Sequence, residues 1–212
     1  MSTIDKHALI ICNGPLPGKV RLHNLADKAD LVLCADGGAN RALHRGLQPE
    51  VIIGDLDSVT RETRLALSNV RWIRKPDQES TDLEKTLDWA LSQGISSAIV
   101  VGATGRRSDH TLANFSILAK YSGRMRLEFI DSHCRMRILE KDTIFDLKIG
   151  TTLSLLPLGR CEGITTEGLA YPLREETLEL GVREGLSNQV VSTPVRISLR
   201  CGKLLLFEVL QP

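Results

Sequence analysis

Residues 31–40 of the chain read LVLCADGGAN, an apolar run that passes directly into an acidic, glycine-rich turn. Between such runs the chain has helical periodicity, for example Leu83, Leu87 and Ala90 within residues 81–92. Unbroken apolar strands that alternate with helices are typical of a parallel sheet covered on both faces. The first part of the chain is therefore predicted to be an α/β/α sheet domain, with apolar strand runs at 8–12, 31–35, 51–53, 70–73, 98–101 and 127–130.

Two helices of this domain can be placed from local signals. Thr81 stands before the apolar pattern as an N-cap, and Glu84 three residues later completes a capping box. A second helix is predicted at about 110–121, with one apolar face formed by Leu112, Phe115, Leu118 and Ala119. In parallel sheets of this kind, ligands bind beyond the carboxyl ends of the strands.

The pattern changes at about residue 142. Residues 195–200 alternate with a period of two, and the turn at 201–203 leads into a second apolar run at 204–210. Glycines interrupt short strand-like segments throughout this part of the chain, which is typical of an all-β sandwich or barrel. We predict an α/β domain at 1–142 followed by a small β-sandwich domain at 143–212.

Composition limits the possible functions. The 212 residues are 42% hydrophobic and 25% charged, which is ordinary for a globular protein. Lys and Arg number 27 against 26 Asp and Glu, and only 4% of the residues are aromatic, so neither a basic surface nor a base-stacking platform is expected. We therefore expect no nucleic-acid partner.

Membrane attachment and disulfides are also not expected. No apolar run approaches the length of a membrane span, and the first residues lack the pattern of a signal peptide. The five cysteines are odd in number and form no C-x-x-C pair, so neither a disulfide framework nor a zinc ribbon is predicted. These features favour a reduced, cytoplasmic protein.

Carboxylates are concentrated in three segments that follow strands, at 36–40, 54–58 and 77–82. Together these segments contain six carboxylates and no Lys or Arg. Any one of these residues could be a solvated turn or helix-start residue. As a set at one edge of the sheet, however, they would repel one another unless a cation lay among them, and Mg²⁺ prefers such oxygen ligands. The D-x-D spacing of Asp55 and Asp57, with Asp82 at a helix start, therefore predicts a Mg²⁺ site.

Two glycine-containing segments indicate phosphate binding. Gly37 and Gly38 let the backbone approach a ligand and open the next helix. The segment 102–110, GATGRRSDH, offers a glycine turn, two guanidinium groups and a helix N-terminus, although it is neither a P-loop nor a G-x-G-x-x-G motif. His110 is more typical of a helix start or a core position than of a catalyst.

Two alternatives remain open on these residues. The segment 51–59, VIIGDLDSV, is similar to the start of haloacid-dehalogenase-type phosphatases, in which the first Asp is a nucleophile that forms a phosphoaspartate. The later acidic pair of that family is missing, because no D-D occurs in the chain. A nucleotide-sensing binding module is the second alternative, although it gives the carboxylates no function.

The order of the motifs carries a closer resemblance. A-D-G-G-A-N (35–40), P-E-V-I-I-G-D-L-D-S (49–58), D-Q-E-S-T-D (77–82) and G-x-x-G-x-R-x-D-H (102–110) resemble the thiamine pyrophosphokinase family, as do T-T-E-G-L-A-Y-P-L (165–173) and G-L-S-N (185–188). The resemblance covers nearly the whole chain. It implies a homodimeric enzyme, with its site between subunits, that transfers the pyrophosphoryl group of ATP to the hydroxyl of thiamine and releases AMP.

The resemblance also implies residue roles. Mg²⁺ would be held by Asp55, Asp57 and Asp82, which together with Asp36 form the catalytic set. The nucleotide would be bound by Asn40, Gln78, Thr81, Arg107 and Asp109. Thiamine would be bound by Ser187 and Asn188, with Tyr171 as a candidate for stacking on its rings. The chain departs from the family pattern at Arg106, where a second glycine is expected beside Gly105, so this loop is expected to be stiffer or to bind phosphate differently.

Overall fold

Six parallel strands form the sheet of the first unit. The structure is a computed structural model that describes residues 5–211, and the chain divides into two compact units between Ser132 and His133. The first unit contains β1 (Lys6–Ile11), α1 (Lys19–Ala26), β2 (Leu31–Ala35), α2 (Gly38–His44), β3 (Val51–Gly54), α3 (Arg61–Ala66), β4 (Arg71–Arg74), α4 (Asp82–Ser92), β5 (Ile95–Val101), α5 (Ser108–Tyr121) and β6 (Arg126–Ile130). Each of the six predicted apolar runs corresponds to a strand, so the predicted α/β class is confirmed.

The strand order of this sheet is β6-β5-β1-β2-β3-β4, and every neighbouring pair is parallel. The chain winds outward from β1 to β4, returns to the other side of β1 as β5 and continues to β6. Right-handed crossovers in the two directions place helices on both faces of the sheet. The change of direction at β1 creates a crevice at the carboxyl ends of the central strands, where ligands bind in such folds.

The backbone is tightly packed at this crevice. The N–H of Gly14, just after β1, donates to the carbonyl oxygen of Gly102, just after β5, over 2.9 Å. A Cβ atom on Gly14 would lie 2.4 Å from that same oxygen. Only glycine therefore permits the two strand ends to approach this closely.

The helix predictions differ in their outcome. The capping box of α4 is confirmed, because the Thr81 hydroxyl oxygen accepts from the Glu84 N–H and the Glu84 carboxylate accepts from the Thr81 N–H. The predicted apolar face of α5 is wrong at its start, since Leu112 is 71% exposed. The buried residues of α5 are Ile117, Leu118 and Tyr121, because its C-terminal half packs on the sheet while its N-terminal half borders a cavity.

The second unit is a sandwich of two four-stranded antiparallel sheets, as predicted. Its strands follow the orders β12-β9-β14-β7 and β11-β10-β13-β8. Leu153 and Leu204 from one sheet pack with Ile164 and Ile197 from the other in a single buried core. The strands are β7 (Cys134–Leu139), β8 (Thr143–Phe145), β9 (Thr152–Pro157), β10 (Arg160–Glu167), β11 (Glu176–Glu179), β12 (Gly185–Gln189), β13 (Val195–Ser198) and β14 (Leu204–Val209).

The division between the units differs from the domain boundary predicted at 142/143. Residues 133–142 belong with the second unit, because β7 pairs along its whole length with β14. No change of composition marks the division between Ser132 and His133 in the sequence, because one strand, β7, follows another, β6, after a short turn. All five cysteines are free. In the part of the chain that the structure describes, no helix has the length and apolar character needed to cross a membrane.

Candidate active site

A cavity of about 750 Å³ lies at the carboxyl ends of the strands of the first unit. The segments that follow β1, β2, β3, β4 and β5 all contribute to its lining. Seven of the predicted site residues line it: Asp36, Asp55, Gln78, Thr81, Asp82, Arg107 and Asp109. The structure therefore brings together residues that are up to about seventy positions apart in the sequence.

Three carboxylates, which we call the acidic triad, lie close enough to hold one ion. Asp36, Asp55 and Asp57 each offer an oxygen atom, and these atoms all lie within 4.8 Å of one another. The register of the sheet produces this grouping: Ala35 pairs with Ile53, and the Asp36 N–H donates to the Ile53 carbonyl oxygen over 2.8 Å. The end of β2 is thereby fixed beside the loop that follows β3.

The turn that carries Asp55 and Asp57 is ordered by its own hydrogen bonds. The N–H of Asp57 donates to Oδ1 of Asp55 over 3.1 Å, and the Ser58 hydroxyl donates to Oδ1 of Asp57 over 3.0 Å. The backbone N–H of Asp57 is the main cause that lowers the pKa of Asp55, with smaller contributions from Gln78 and Lys85. Asp55 is therefore held in its ionised form.

Asp36 is the buried member of the triad. It is 5% exposed, and its Oδ1 atom has no hydrogen-bond partner among the described residues. Burial raises the pKa of Asp36, the charges of Asp55 and Asp57 raise it further, and the Gly37 N–H and the Ser58 hydroxyl oppose this. A buried oxygen without a donor costs about 1–3 kcal/mol. A divalent cation would supply the missing partner, so these residues fit Mg²⁺.

Asp82 lies beside the triad and outside it. A Cβ atom on Gly54 would lie 2.8 Å from Cβ of Asp36 and 3.0 Å from Oδ1 of Asp82, so only a glycine at position 54 allows the two acids to approach. Burial raises the pKa of Asp82, as do the charges of Asp36 and Asp55, while Lys85 lowers it. The predicted Mg²⁺ ligands were Asp55, Asp57 and Asp82, whereas the structure groups Asp55 and Asp57 with Asp36. Asp82 lies at a helix start, where its Oδ1 atom is 3.4 Å from Nζ of Lys85.

The glycine loop between β5 and α5 carries two exposed guanidinium groups. Arg107 forms a two-bond ion pair with Asp109, at 2.6 and 3.1 Å, and this pair lowers the pKa of Asp109 to about 2. Arg106 has a φ of 60°, in the left-handed region that favours glycine. The arginine in place of an expected glycine therefore adopts a backbone conformation that glycine favours, and its effect on phosphate binding stays a prediction.

Asn40 has a different place from the one predicted. Its Nδ2 donates to the Ser58 carbonyl oxygen over 2.8 Å, and its Oδ1 accepts from the Thr60 N–H over 3.1 Å. Asn40 is not among the residues that line the cavity. Its amide instead fixes the segment that follows Asp55 and Asp57.

Asn13 and Lys85 are among the cavity residues that sequence reasoning missed. Asn13 directly follows β1, just as the predicted acids follow the later strands. Applying to β1 the rule that polar residues after a strand are site candidates would have found it. Lys85 lines the cavity with a side chain that is only 4% exposed. The only sign of Lys85 in the sequence was its position on α4 beside the apolar residues of that helix.

The residues predicted to bind thiamine lie in the second unit. Oδ1 of Asn188 accepts from the N–H groups of Tyr171 and Gln189, over 3.0 and 2.9 Å, and Nδ2 donates to the Tyr171 carbonyl oxygen over 2.6 Å. The 8% exposed Asn188 thus holds the Tyr171 backbone. Ser187 is exposed with a φ of 54°, and the Tyr171 side chain is 73% exposed, so Tyr171 is not a core residue.

A parallel α/β sheet that gathers carboxylates, glycines and arginines around one cavity, and is followed by a β-sandwich, defines a class of two-unit phosphotransferase. Comparison with known proteins identifies the member of this class. Residues 22–129 match the family model described as "Thiamin pyrophosphokinase, catalytic domain", and residues 139–204 match "Thiamin pyrophosphokinase, vitamin B1 binding domain". The chain belongs to the thiamine pyrophosphokinase family.

Individual relatives support this assignment. Thiamine pyrophosphokinase 2 of Oryza sativa subsp. japonica is 31% identical over 92% of this chain and 84% of its own length. Thiamine pyrophosphokinase of Bacillus subtilis (strain 168) is 26% identical over 98% of this chain and 99% of its own length. The crystal structure of thiamin pyrophosphokinase from Geobacillus thermodenitrificans has a TM-score of 0.84 at 25% identity, covering 97% of this chain and 98% of that one.

These findings confirm the prediction that the chain is a thiamine pyrophosphokinase, an ATP-dependent transferase. The phosphatase alternative, which rested on residues 51–59 alone, is not favoured. The nucleotide-sensing alternative is not favoured either, because the relatives of this chain are named as enzymes.

Proposed function

We propose that the first unit transfers the pyrophosphoryl group of ATP to the hydroxyl of thiamine with a Mg²⁺ ion held by the acidic triad. Two observations on Asp36 carry this proposal together: one of its carboxylate oxygens lies within 4.8 Å of carboxylate oxygens of Asp55 and Asp57, and its buried Oδ1 has no hydrogen-bond partner among the described residues. Asp82, which lines the same cavity, is assigned a supporting role at this site. When bound, Mg²⁺ offsets charge on the phosphate oxygens during transfer.

The glycine loop is proposed to hold the nucleotide phosphates. Gly102 and Gly105 have positive φ values of 70° and 82°, and both line the cavity together with Arg106 and Arg107. Guanidinium groups bind phosphate oxygens through paired hydrogen bonds. Because the Arg107–Asp109 pair is exposed to solvent, phosphate can compete for Arg107 at a small energetic cost.

The cavity favours the transition state through position and charge. Attack of the thiamine hydroxyl at the β-phosphorus of ATP expels AMP, so charge changes on both sides of that phosphorus. Positioning and electrostatics supply most of the catalysis in phosphoryl transfer. Acids and arginines both line the cavity and give it charges of both signs, as this demand requires: Asp36, Asp55, Asp82, Arg106 and Arg107.

Thiamine recognition is proposed to involve the second unit through Ser187, Asn188 and Tyr171. The exposed Ser187 hydroxyl and the exposed Tyr171 ring are available to a ligand, whereas most of the hydrogen-bonding capacity of the Asn188 amide is used within the protein. We therefore assign direct contact to Ser187 and Tyr171. Asn188 positions Tyr171 through its two hydrogen bonds to the Tyr171 backbone.

We also propose that the enzyme is a cytoplasmic homodimer with its site between subunits. Five free cysteines suit a reducing compartment. Light scattering coupled to size exclusion tests the dimer: a mass of twice 23.4 kDa is expected, and a mass of 23.4 kDa would contradict it.

Incubation with ATP, Mg²⁺ and thiamine tests the reaction, with the nucleotide product as the readout. AMP together with thiamine diphosphate is the expected outcome. ADP would indicate a kinase that transfers one phosphoryl group, and inorganic phosphate alone would indicate a hydrolase. A phosphoaspartate trapped at Asp55 would support the phosphatase alternative.

A further inference from the structure

Lys85 places a buried positive charge among the acids of the cavity. Its side chain is 4% exposed, and its Nζ atom lies 3.4 Å from Oδ1 of Asp82. Within residues 5–211 that long hydrogen bond is the one its ammonium group makes. An ammonium group has three donors, so Lys85 is held by charge much more than by hydrogen bonds.

The charge of Lys85 acts on more than one carboxylate. It lowers the pKa of Asp82 and also that of Asp55, although other causes are larger at both residues. We use the name acidic cluster for the triad together with Asp82. The cluster thus contains four carboxylates and has one buried ammonium group beside it, while Arg106 and Arg107, which also line the cavity, lie in an exposed loop.

A buried ammonium group is costly to desolvate unless neighbouring charges compensate for it. Four carboxylates at one strand edge repel one another in the same way unless cations compensate for them. Lys85 and the acidic cluster therefore stabilise each other. Part of the negative charge that would otherwise attract a second divalent cation is already offset by the protein.

We propose that Lys85 is a built-in cation of the acidic cluster, which restricts the cluster to a single, weakly bound divalent ion until nucleotide arrives. The inference rests on the proposed function only in treating the cluster as a divalent-cation site. It makes Lys85 a positioning residue that acts through Asp82 and the charge of the cluster. Further metal then enters the cavity with the nucleotide phosphates.

Mn²⁺ binding to the whole protein, without ATP or thiamine, tests this proposal. Titration calorimetry and the paramagnetic resonance of free Mn²⁺ give the affinity and the number of ions bound. For Lys85→Met, which keeps length and removes charge, we expect about tenfold tighter Mn²⁺ binding or a second bound ion, because a repulsive unit charge has been removed at short range.

Lys120→Met is the matched control. Lys120 also pairs with a carboxylate of α4, at 2.9 Å from Glu84, but it is 62% exposed and does not line the cavity. Its Mn²⁺ affinity is expected to equal that of the wild type. Unchanged or weaker Mn²⁺ binding by Lys85→Met would overturn the proposal and leave Lys85 as a simple ion-pair partner of Asp82.

A double variant keeps the test decisive if Lys85→Met does not fold. Lys85→Met with Asp82→Asn removes both charges of the pair, leaves the combined net charge of Lys85 and the acidic cluster unchanged and leaves neither member of the pair unpaired. Its Mn²⁺ affinity is expected within about threefold of wild type, and a larger change in either direction would refute charge balance as the role of Lys85. Because neither substrate is present, these outcomes are independent of whether the enzyme makes thiamine diphosphate.

Discussion

The substitution Asn188→Ala separates a positioning role from direct contact with thiamine. In the structure the Asn188 amide makes three hydrogen bonds, two from backbone N–H groups to Oδ1 and one from Nδ2 to the Tyr171 carbonyl oxygen. All three are lost in alanine. The residue is 8% exposed, so water reaches the freed groups only in part.

The expected cost follows from these three bonds. At about 1 kcal/mol for each hydrogen bond, and with partial replacement by water near the exposed Tyr171 side chain, the free energy of unfolding should fall by about 2–3 kcal/mol. Urea unfolding of the wild type and the variant measures this difference. The Michaelis constant for thiamine should rise together with the loss of stability, while that for ATP changes little.

Ser187→Ala is the matched comparison. The Ser187 side chain is exposed, and its hydroxyl makes no hydrogen bond within the described residues, so the free energy of unfolding should change by less than about 0.5 kcal/mol. Its Michaelis constant for thiamine should nevertheless rise. The reasoning is refuted if Asn188→Ala unfolds like the wild type, or if it raises the Michaelis constant for thiamine without any loss of stability.

Three further predictions concern the first unit. Asp55→Asn and Asp57→Asn should each abolish Mg²⁺-dependent release of AMP while the circular dichroism spectrum is preserved, and near-normal turnover in either variant would contradict the triad as the metal site. Arg106→Gly should raise the free energy of unfolding by about 0.5–1 kcal/mol, because the left-handed strain that it removes at a φ of 60° outweighs the extra chain entropy of glycine and the loss of one long, exposed hydrogen bond from Arg106 to the Asn13 carbonyl oxygen; equal or lower stability in urea would contradict this. Asp36→Asn should stabilise the metal-free protein at neutral pH by about 1–2 kcal/mol. Burial raises the pKa of Asp36 in the folded state, so the wild-type carboxylate destabilises the fold above that pKa and ceases to do so once protonated. The advantage of the variant, measured by urea unfolding in a chelator, should therefore shrink as the pH falls, and an advantage that grows in acid would contradict the assignment.

Local sequence signals predicted much of the first unit. The run at 31–35 became β2 (Leu31–Ala35) with the same bounds, and the Thr81–Glu84 capping box formed as expected. Such features depend on residues within one turn or one strand, so the sequence contains all the information they need. The face of α5 did not follow this rule, because the environment on each side of that helix changes along its length.

The candidate site shows the same contrast. The acids were found because each follows an apolar strand, and the order of the motifs led to the family. The sequence contained no sign that the Asn188 amide is used within the protein or that Asn40 holds the segment at Ser58 and Thr60. Both depend on hydrogen bonds between segments that the sequence separates.

The amino-acid sequence by itself determined the class of fold, the strand-end positions of the acids and the family, because apolar periodicity and ordered motifs are local properties of the chain. Only the tertiary structure decided which acids form the triad and what lies among them. Pairing of Ala35 with Ile53 puts Asp36 beside Asp55, and the packing of α4 on the sheet buries Lys85 next to Asp82. Sheet register and helix packing fix these distances, and both arise from the whole core.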